Sequence, residues 1–265
     1  MPLPPLERGR AEPALKLATD RFADLLRTVK DPTKTAIGYW DIGQLAAHVS
    51  HLFSLYPSLA RGEGSPIEDH RNMSEYWDLG LERHRERNPG TLADRIEDAT
   101  DDFIAAADVH GWDSLVDWHG GIKAPVAGIA GFLINECEIH GLDVSRAEDR
   151  PWVVDPDRAR FVIDAHMPVL PHFTNEAEIE GLNAVFELDV KGGSTTYFIV
   201  RDGQLTIDTD RPARVDCRIS ADPVDYLLVG YGRKSQWGPL VKGKVLALGR
   251  KPWLGLKFGK LFESV

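Results

Sequence analysis

The sequence predicts a four-helix bundle followed by an α+β domain with a mainly antiparallel sheet. Two observations predict it. Up to about residue 150 the apolar residues recur at helical spacing, and no segment shows strand alternation. Beyond "EDRPWVVDPDR" the texture changes: β-branched runs flank "KGG", and another follows "RDG", both hairpin signals.

Residues 1–13 are proline-rich and polar, which predicts a flexible arm. From Ala14 to Lys30 the positions Leu15, Ala18, Phe22, Leu25, Leu26 and Val29 form one apolar helical stripe. "WDIGQLAAHVSHLFSLY" predicts a second helix, with Asp41 as N-cap, Gln44 three residues on and Pro57 near its end. A glycine-rich turn, "RGEGSP", and a charged, weakly periodic segment follow. Thr91 is the expected cap of a third helix, striped by Leu92, Ile96, Ala99, Phe103 and Ala106. The fourth runs from about Pro125 to Gly141, after the loop "HGWDSLVDWHGG".

A helical segment near 156–170 opens the second part, and "AVFELDVKGGSTTYFIVRDGQLTI" supplies its hairpins. "RVDCRISADPVDYLLVGYGR" reads as a strand, a short helix capped from Asp222 and a glycine stop. The tail, "GKVLALGRKPWLGLKFGKLFESV", reads as a short segment and a final apolar helix. The expected organisation is an arm at 1–13, a bundle over 14–150 and an α+β domain over 156–265.

Composition bounds the function. The net charge of −10 on 265 residues argues against nucleic acid or an anionic membrane as the main partner. Hydrophobic residues at 43% and charged at 27% are globular values. Two cysteines 80 positions apart, Cys137 and Cys217, imply no disulfide framework and suit a reducing compartment. The opening "MPLPPLERGRAEP" lacks the apolar core of a signal peptide, and no apolar run approaches the roughly 20 residues of a membrane span. A cytoplasmic protein is expected. No phosphate loop, HExxH, CxxC or Gly-x-Ser-x-Gly elbow is present.

The chemistry concentrates in "NECEIHGLDVSRA". Successive helical residues turn by roughly 100°, so positions four apart share a face. The fourth helix's stripe is Val126, Ile129, Ala130, Leu133 and Cys137, and both Glu136 and His140 continue it. Glu138 lies roughly 200° around from His140 and is expected to face solvent. On the second helix His48 sits at the edge of the stripe Ile42, Leu45, Val49, Leu52 and Tyr56. A histidine and a Glu/His pair facing one bundle core can hold a divalent metal. Two histidines and a glutamate suit zinc, while nickel, iron and manganese use the same donors. His51, one turn from His48, competes for the upstream role, and Glu136/His140 also fits a buried ion pair. Cys137 reads as core packing, and His110 and His119 fall in a loop.

"YWDIGQLAAHVSHL" and "INECEIHGLDVSRA" resemble segments of the DinB-like, mycothiol-dependent maleylpyruvate isomerase family. In the first, a tryptophan and a capping residue precede a helix bearing an Ala-His pair; in the second, Glu-x-x-x-His precedes Gly-x-Asp. The resemblance covers about residues 14–150 and implies a DinB-like four-helix bundle with a divalent metal, usually zinc. It places the ligands at His48, Glu136 and His140. It further implies mycothiol as thiol cosubstrate and isomerisation or S-transfer on a small electrophile. Residues from about 156 to 265 resemble a sterol carrier protein type 2 domain, through "TTYFIVRDGQLTI", "RVDCRISADPVDYLLVGYGR" and "KGKVLALGRKPWLGLKFGKLF". That resemblance implies a five-stranded sheet under helices and an apolar tunnel. It also raises the alternative of a lipid or sterol carrier with a structural metal. Arg201, Arg218, Arg233 and Lys234 are basic candidates there, with no family role carried to them.

Overall fold

The computed structural model describes residues 5–263. Their contacts divide the chain into one unit of Leu6–Val154 and another built on Asp155–Val265.

The first unit is helical. Its elements are α1 (Arg8–Arg27), β1 (Thr35–Ile37), β2 (Trp40–Asp41), α2 (Ile42–Ala60), α3 (Met73–Arg83) and α4 (Pro89–His110). β3 (Leu115–Asp117), β4 (Lys123–Pro125) and α5 (Val126–Ala147) complete it. The four long helices α1, α2, α4 and α5 form the bundle, with α3 laid against α2. Phe22, Phe53, Tyr56 and Phe103 are buried at its centre. Each such side chain contributes about 1.5–3 kcal/mol by leaving water.

Several local expectations are corrected. Helix α1 begins at Arg8, so residues 8–13 of the expected arm are helical. Ala11 is buried, Arg8 pairs with Glu12 one turn on and with Asp108 of α4, and this packing outweighs Pro13. Residues 1–4 of that arm lie outside the described residues. Asn88, not Thr91, caps α4: its side chain accepts from the Thr91 backbone N–H, which puts Thr91 inside the helix. Helix α5 continues to Ala147, six residues past Gly141. Two small antiparallel pairs, β1–β2 and β3–β4, lie where no strand was expected; at two or three residues each they are too short to show alternation. The Asp41 cap forms as read, including the reciprocal Gln44 bond.

The second unit carries α6 (Pro156–His166), α7 (Glu176–Ile179), β5 (Ala184–Val190), β6 (Thr195–Arg201), β7 (Gln204–Asp208) and β8 (Cys217–Ala221). Then come α8 (Pro223–Gly230), α9 (Trp237–Val241), β9 (Val245–Leu248) and α10 (Gly255–Phe258). The sheet order is β7-β6-β5-β8-β9, with β5–β8 as its parallel pair. At the tip of β6–β7 both Asp202 and Gly203 hold positive φ, as a two-residue hairpin with the strands' twist requires. Asp222 caps α8 by accepting from Val224 and Asp225. The expected final apolar helix is instead a 3-10 turn over Pro252–Leu254, the four-residue α10 and a second 3-10 turn. Pro252 cannot continue a helix, and Gly255 and Gly259 weaken one.

Among the described residues, no helix is long and apolar enough to cross a membrane.

Candidate metal centre

Helix α2 presents His48, and α5 presents Glu136 and His140 one turn apart. One ligand atom from each lies within 4.8 Å of the others. Glu136 Oε2 stands 3.2 Å from His140 Nε2 and 3.6 Å from His48 Nε2. In a tetrahedral site with bonds near 2.0–2.1 Å, ligand atoms sit about 3.3 Å apart. The two measured edges bracket that spacing.

Orientation decides between an ion pair and a metal pocket. Glu136 Oε2 is buried and, despite its two close imidazoles, makes no hydrogen bond. The three side chains thus bring their ligand atoms within reach of a single ion. A buried carboxylate oxygen left without a partner costs about 1–3 kcal/mol or more. A cation at that point offsets the cost, so the residues present fit a divalent metal.

A further group belongs to the arrangement. His140 Nδ1 lies 3.0 Å from Asp143 Oδ2, one helical turn on. An ionised carboxylate only accepts, so Nδ1 carries the proton and donates, which frees Nε2 as a ligand. Burial disfavours a charged His140, but Asp143 and Glu136 outweigh it and push the imidazole up to about 9. Burial likewise raises the Glu136 carboxyl, yet His140 and His48 hold it well below the usual carboxylate range. Ligation requires the neutral imidazole, so metal affinity is expected to fall as pH is lowered. Asp143→Asn is expected to weaken metal affinity by about 10–100-fold, with helix content unchanged, in titrations against a chromophoric chelator.

Aromatic rings enclose His48. Trp40 lies 5.0 Å away between centroids and Trp77, from α3, meets it edge-on at 5.8 Å. His51 falls outside the triad. It packs between Tyr76, Trp77 and His84, and burial, reinforced by the neighbouring histidines, lowers it to about 4. His110 ends α4. His119 is buried, receives or gives a hydrogen bond at Ser65 Oγ, 2.7 Å away, and is lowered to about 3 by that burial. Cys137 is buried, as expected.

Glu138 overturns its expectation. It is fully buried, 3.2 Å from Arg21 of α1. Helix α5 packs on α1 as well as on α2, so the face opposite His140 is a second interface rather than a solvent side. Asp143 and Trp77 were not singled out in the sequence, and Trp40 entered only as the tryptophan ahead of the Ala-His helix; the Gly-x-Asp spacing after His140 was the signal for Asp143.

Among the basic candidates of the second unit, Arg218 bonds Asp189 and sits 2.9 Å from Glu187 on the sheet. Lys234 pairs with the buried Asp225. Arg233 donates to the Tyr231 carbonyl. Arg201 lines a cavity of about 270 Å³ with Arg214, Asp216 and Lys251.

A helical unit whose core gathers two histidines and a glutamate, joined in one chain to a five-stranded α+β unit, defines a two-part architecture. Residues 15–145 match the family model described as the mycothiol maleylpyruvate isomerase N-terminal domain, and residues 169–249 match that of the SCP-2 sterol transfer family. Two solved structures share the fold along most of the chain. They are the mycothiol-dependent maleylpyruvate isomerase, at 17% identity and TM-score 0.52, and a histidine-to-alanine mutant of it, at 16% and 0.54. Each comparison covers 93% of this chain and 95% of the other. At such identity the likeness is one of fold. No curated protein matches the chain.

Proposed function

We propose that the chain is a divalent-metal enzyme that uses a low-molecular-weight thiol, mycothiol by family, to isomerise or S-transfer onto a small electrophile. The observation that supports this reading is that one ligand atom from each of His48, Glu136 and His140 lies within 4.8 Å of the others, with Glu136 Oε2 buried. The donor set suits zinc. The choice of thiol draws on the family description of residues 15–145.

When bound, the ion supplies the positive charge that lowers the pKa of a thiol, ordinarily near 8.5, so that thiolate is available at neutral pH. The protein's residues prepare that chemistry. Glu136 brings one negative charge to the site, which would offset part of the charge of a divalent ion held there. Asp143 fixes the His140 ring and its proton. Trp40 and Trp77 pack against His48 on that side of the pocket. Neither cysteine forms a disulfide and both are buried, which accords with a reducing cytoplasm.

Cobalt-substituted protein tests the reading. Added mycothiol should produce a sulfur-to-cobalt charge-transfer band, lost with Glu136→Gln. Cobalt uptake with no spectral response to any thiol would leave the ion a structural role. The match of residues 169–249 to the SCP-2 family favours one second reading, a lipid or sterol carrier. Native mass spectrometry separates the two: an acyl or sterol adduct without metal supports the carrier, and metal without lipid supports the enzyme.

A further inference from the structure

The sheet of the second unit brings basic side chains together at one of its ends. β5 pairs antiparallel with β6 and parallel with β8, and β8 pairs antiparallel with β9. The end of β6, the approach to β8 and the exit from β9 therefore lie beside the start of β5. Arg201, Arg214, Arg250 and Lys251 occupy those positions. Asp216 holds this end in place. Its backbone N–H donates to the Val185 carbonyl, and its own carbonyl accepts from the Lys251 N–H, each at 2.8 Å. Its Oδ2 accepts from the Val185 N–H at 3.2 Å.

The cations gathered there are not matched by anions. Asp216 Oδ1 is buried and makes no hydrogen bond. Lys251 Nζ, Arg214 Nη2 and Arg250 Nη1 stand 3.4, 3.5 and 3.9 Å from it, beyond an ordinary hydrogen bond. Among the described residues the Arg201 guanidinium has no partner. Asp202, next in the chain, lines a neighbouring hollow with Glu176 and Glu180. Burial raises the Asp216 carboxyl, but the Val185 N–H, Lys251 and Arg214 outweigh it and hold it below its ordinary value. Asp216 therefore stays ionised, while the surrounding cations keep most of their donors unused. Arg201, Arg214 and Lys251 line the cavity of about 270 Å³ together with Asp216 and Asn183. We propose that this cavity binds the phosphate group of a small molecule.

Charge and geometry both favour that ligand. One carboxylate cannot offset four cations, whereas an added dianion largely does. A planar carboxylate is satisfied by a single guanidinium fork. Donors converging from three strand ends suit a tetrahedral group with three terminal oxygens. The volume is near the lower end of ordinary small-molecule sites. Nucleic acid is disfavoured, because the chain carries −10 overall and the site is one hollow rather than a basic track. The thiol chemistry proposed above uses no such ligand, so this site and that reading can fail separately.

Calorimetric titration of the full chain with inorganic phosphate and with succinate, at about pH 8 where both are dianions, tests it. Phosphate is expected to bind with Kd near or below about 1 mM, and succinate at least about tenfold more weakly. Arg201→Gln and Arg214→Gln should each weaken phosphate at least about tenfold, and Arg201→Lys should weaken it less than Arg201→Gln. Both arginines are exposed, and unchanged melting verifies the fold. Lys257→Gln, outside the cavity lining, should leave binding unchanged. Binding should also persist in His48→Ala, which separates this site from phosphate held by an ion at the metal centre. No saturable phosphate binding, equal affinity for succinate, or indifference to both arginine substitutions would overturn the proposal. So would loss of binding in His48→Ala, or retention on duplex DNA that phosphate does not displace.

Discussion

His48→Ala and His140→Ala each lose bound divalent metal, with affinity falling at least about 100-fold, beyond what loss of an outer partner such as Asp143 costs. Elemental analysis of purified protein reads the outcome, with His51→Ala as the control that keeps its metal. The contrast tests the competition between the two histidines of α2, which stand one turn apart but enter different surroundings. His48 faces Glu136 of α5, whereas His51 is packed among Tyr76, Trp77 and His84. His140→Ala also leaves Glu136 and Asp143 without their shared imidazole, so part of its effect is on folding. Glu136→Gln, nearly the same shape, separates the two causes: it should melt normally and still lose the ion. Full metal retention by both histidine variants would reject the assigned triad.

The largest stability effect is expected at Gly141, next to a proposed ligand. A Cβ built there would lie 2.3 Å from the Trp152 ring, far inside contact distance. The indole cannot move freely, because its N–H donates to the Glu138 carbonyl and Arg21 stacks over its ring at 4.3 Å. Arg21 in turn meets the buried Glu138 carboxylate. Gly141→Ala therefore disturbs packing, a hydrogen bond and an ion pair at once, at about 2–3 kcal/mol. For a unit of this size that lowers Tm by about 5–10 °C. Combined with Trp152→Ala, the alanine should cost far less than in the wild-type background. Additive losses in the double-mutant cycle would place the strain elsewhere.

The bundle was legible because its signals are local. The stripes of α1, α2 and α4, the Asp41–Gln44 capping box and the Asp222 cap each lie within a few residues of chain. The proposed pairing of Glu136 with His140 came from the same kind of signal, polar residues on an apolar stripe at i,i+4 spacing, whereas the choice of His48 over His51 rested on the family resemblance. What escaped depended on neighbours distant in sequence. Glu138 was assigned to solvent because a single stripe implies a single buried face, whereas α5 packs on two helices. The start of α1 at Arg8 rests partly on Asp108, 100 residues away. Trp77 reaches His48 through α3, whose periodicity is weak. The broken tail was misread because apolar spacing outvoted Pro252, Gly255 and Gly259.

Both cysteine sulfurs of the chain are withheld from its surface. Burial raises the Cys217 thiol further, so little of it is present as the nucleophilic anion. Mixed-disulfide formation and alkylation each demand an accessible thiolate. Under the proposed function, an enzyme handling small thiols and electrophiles would thereby be spared capping of its own cysteines.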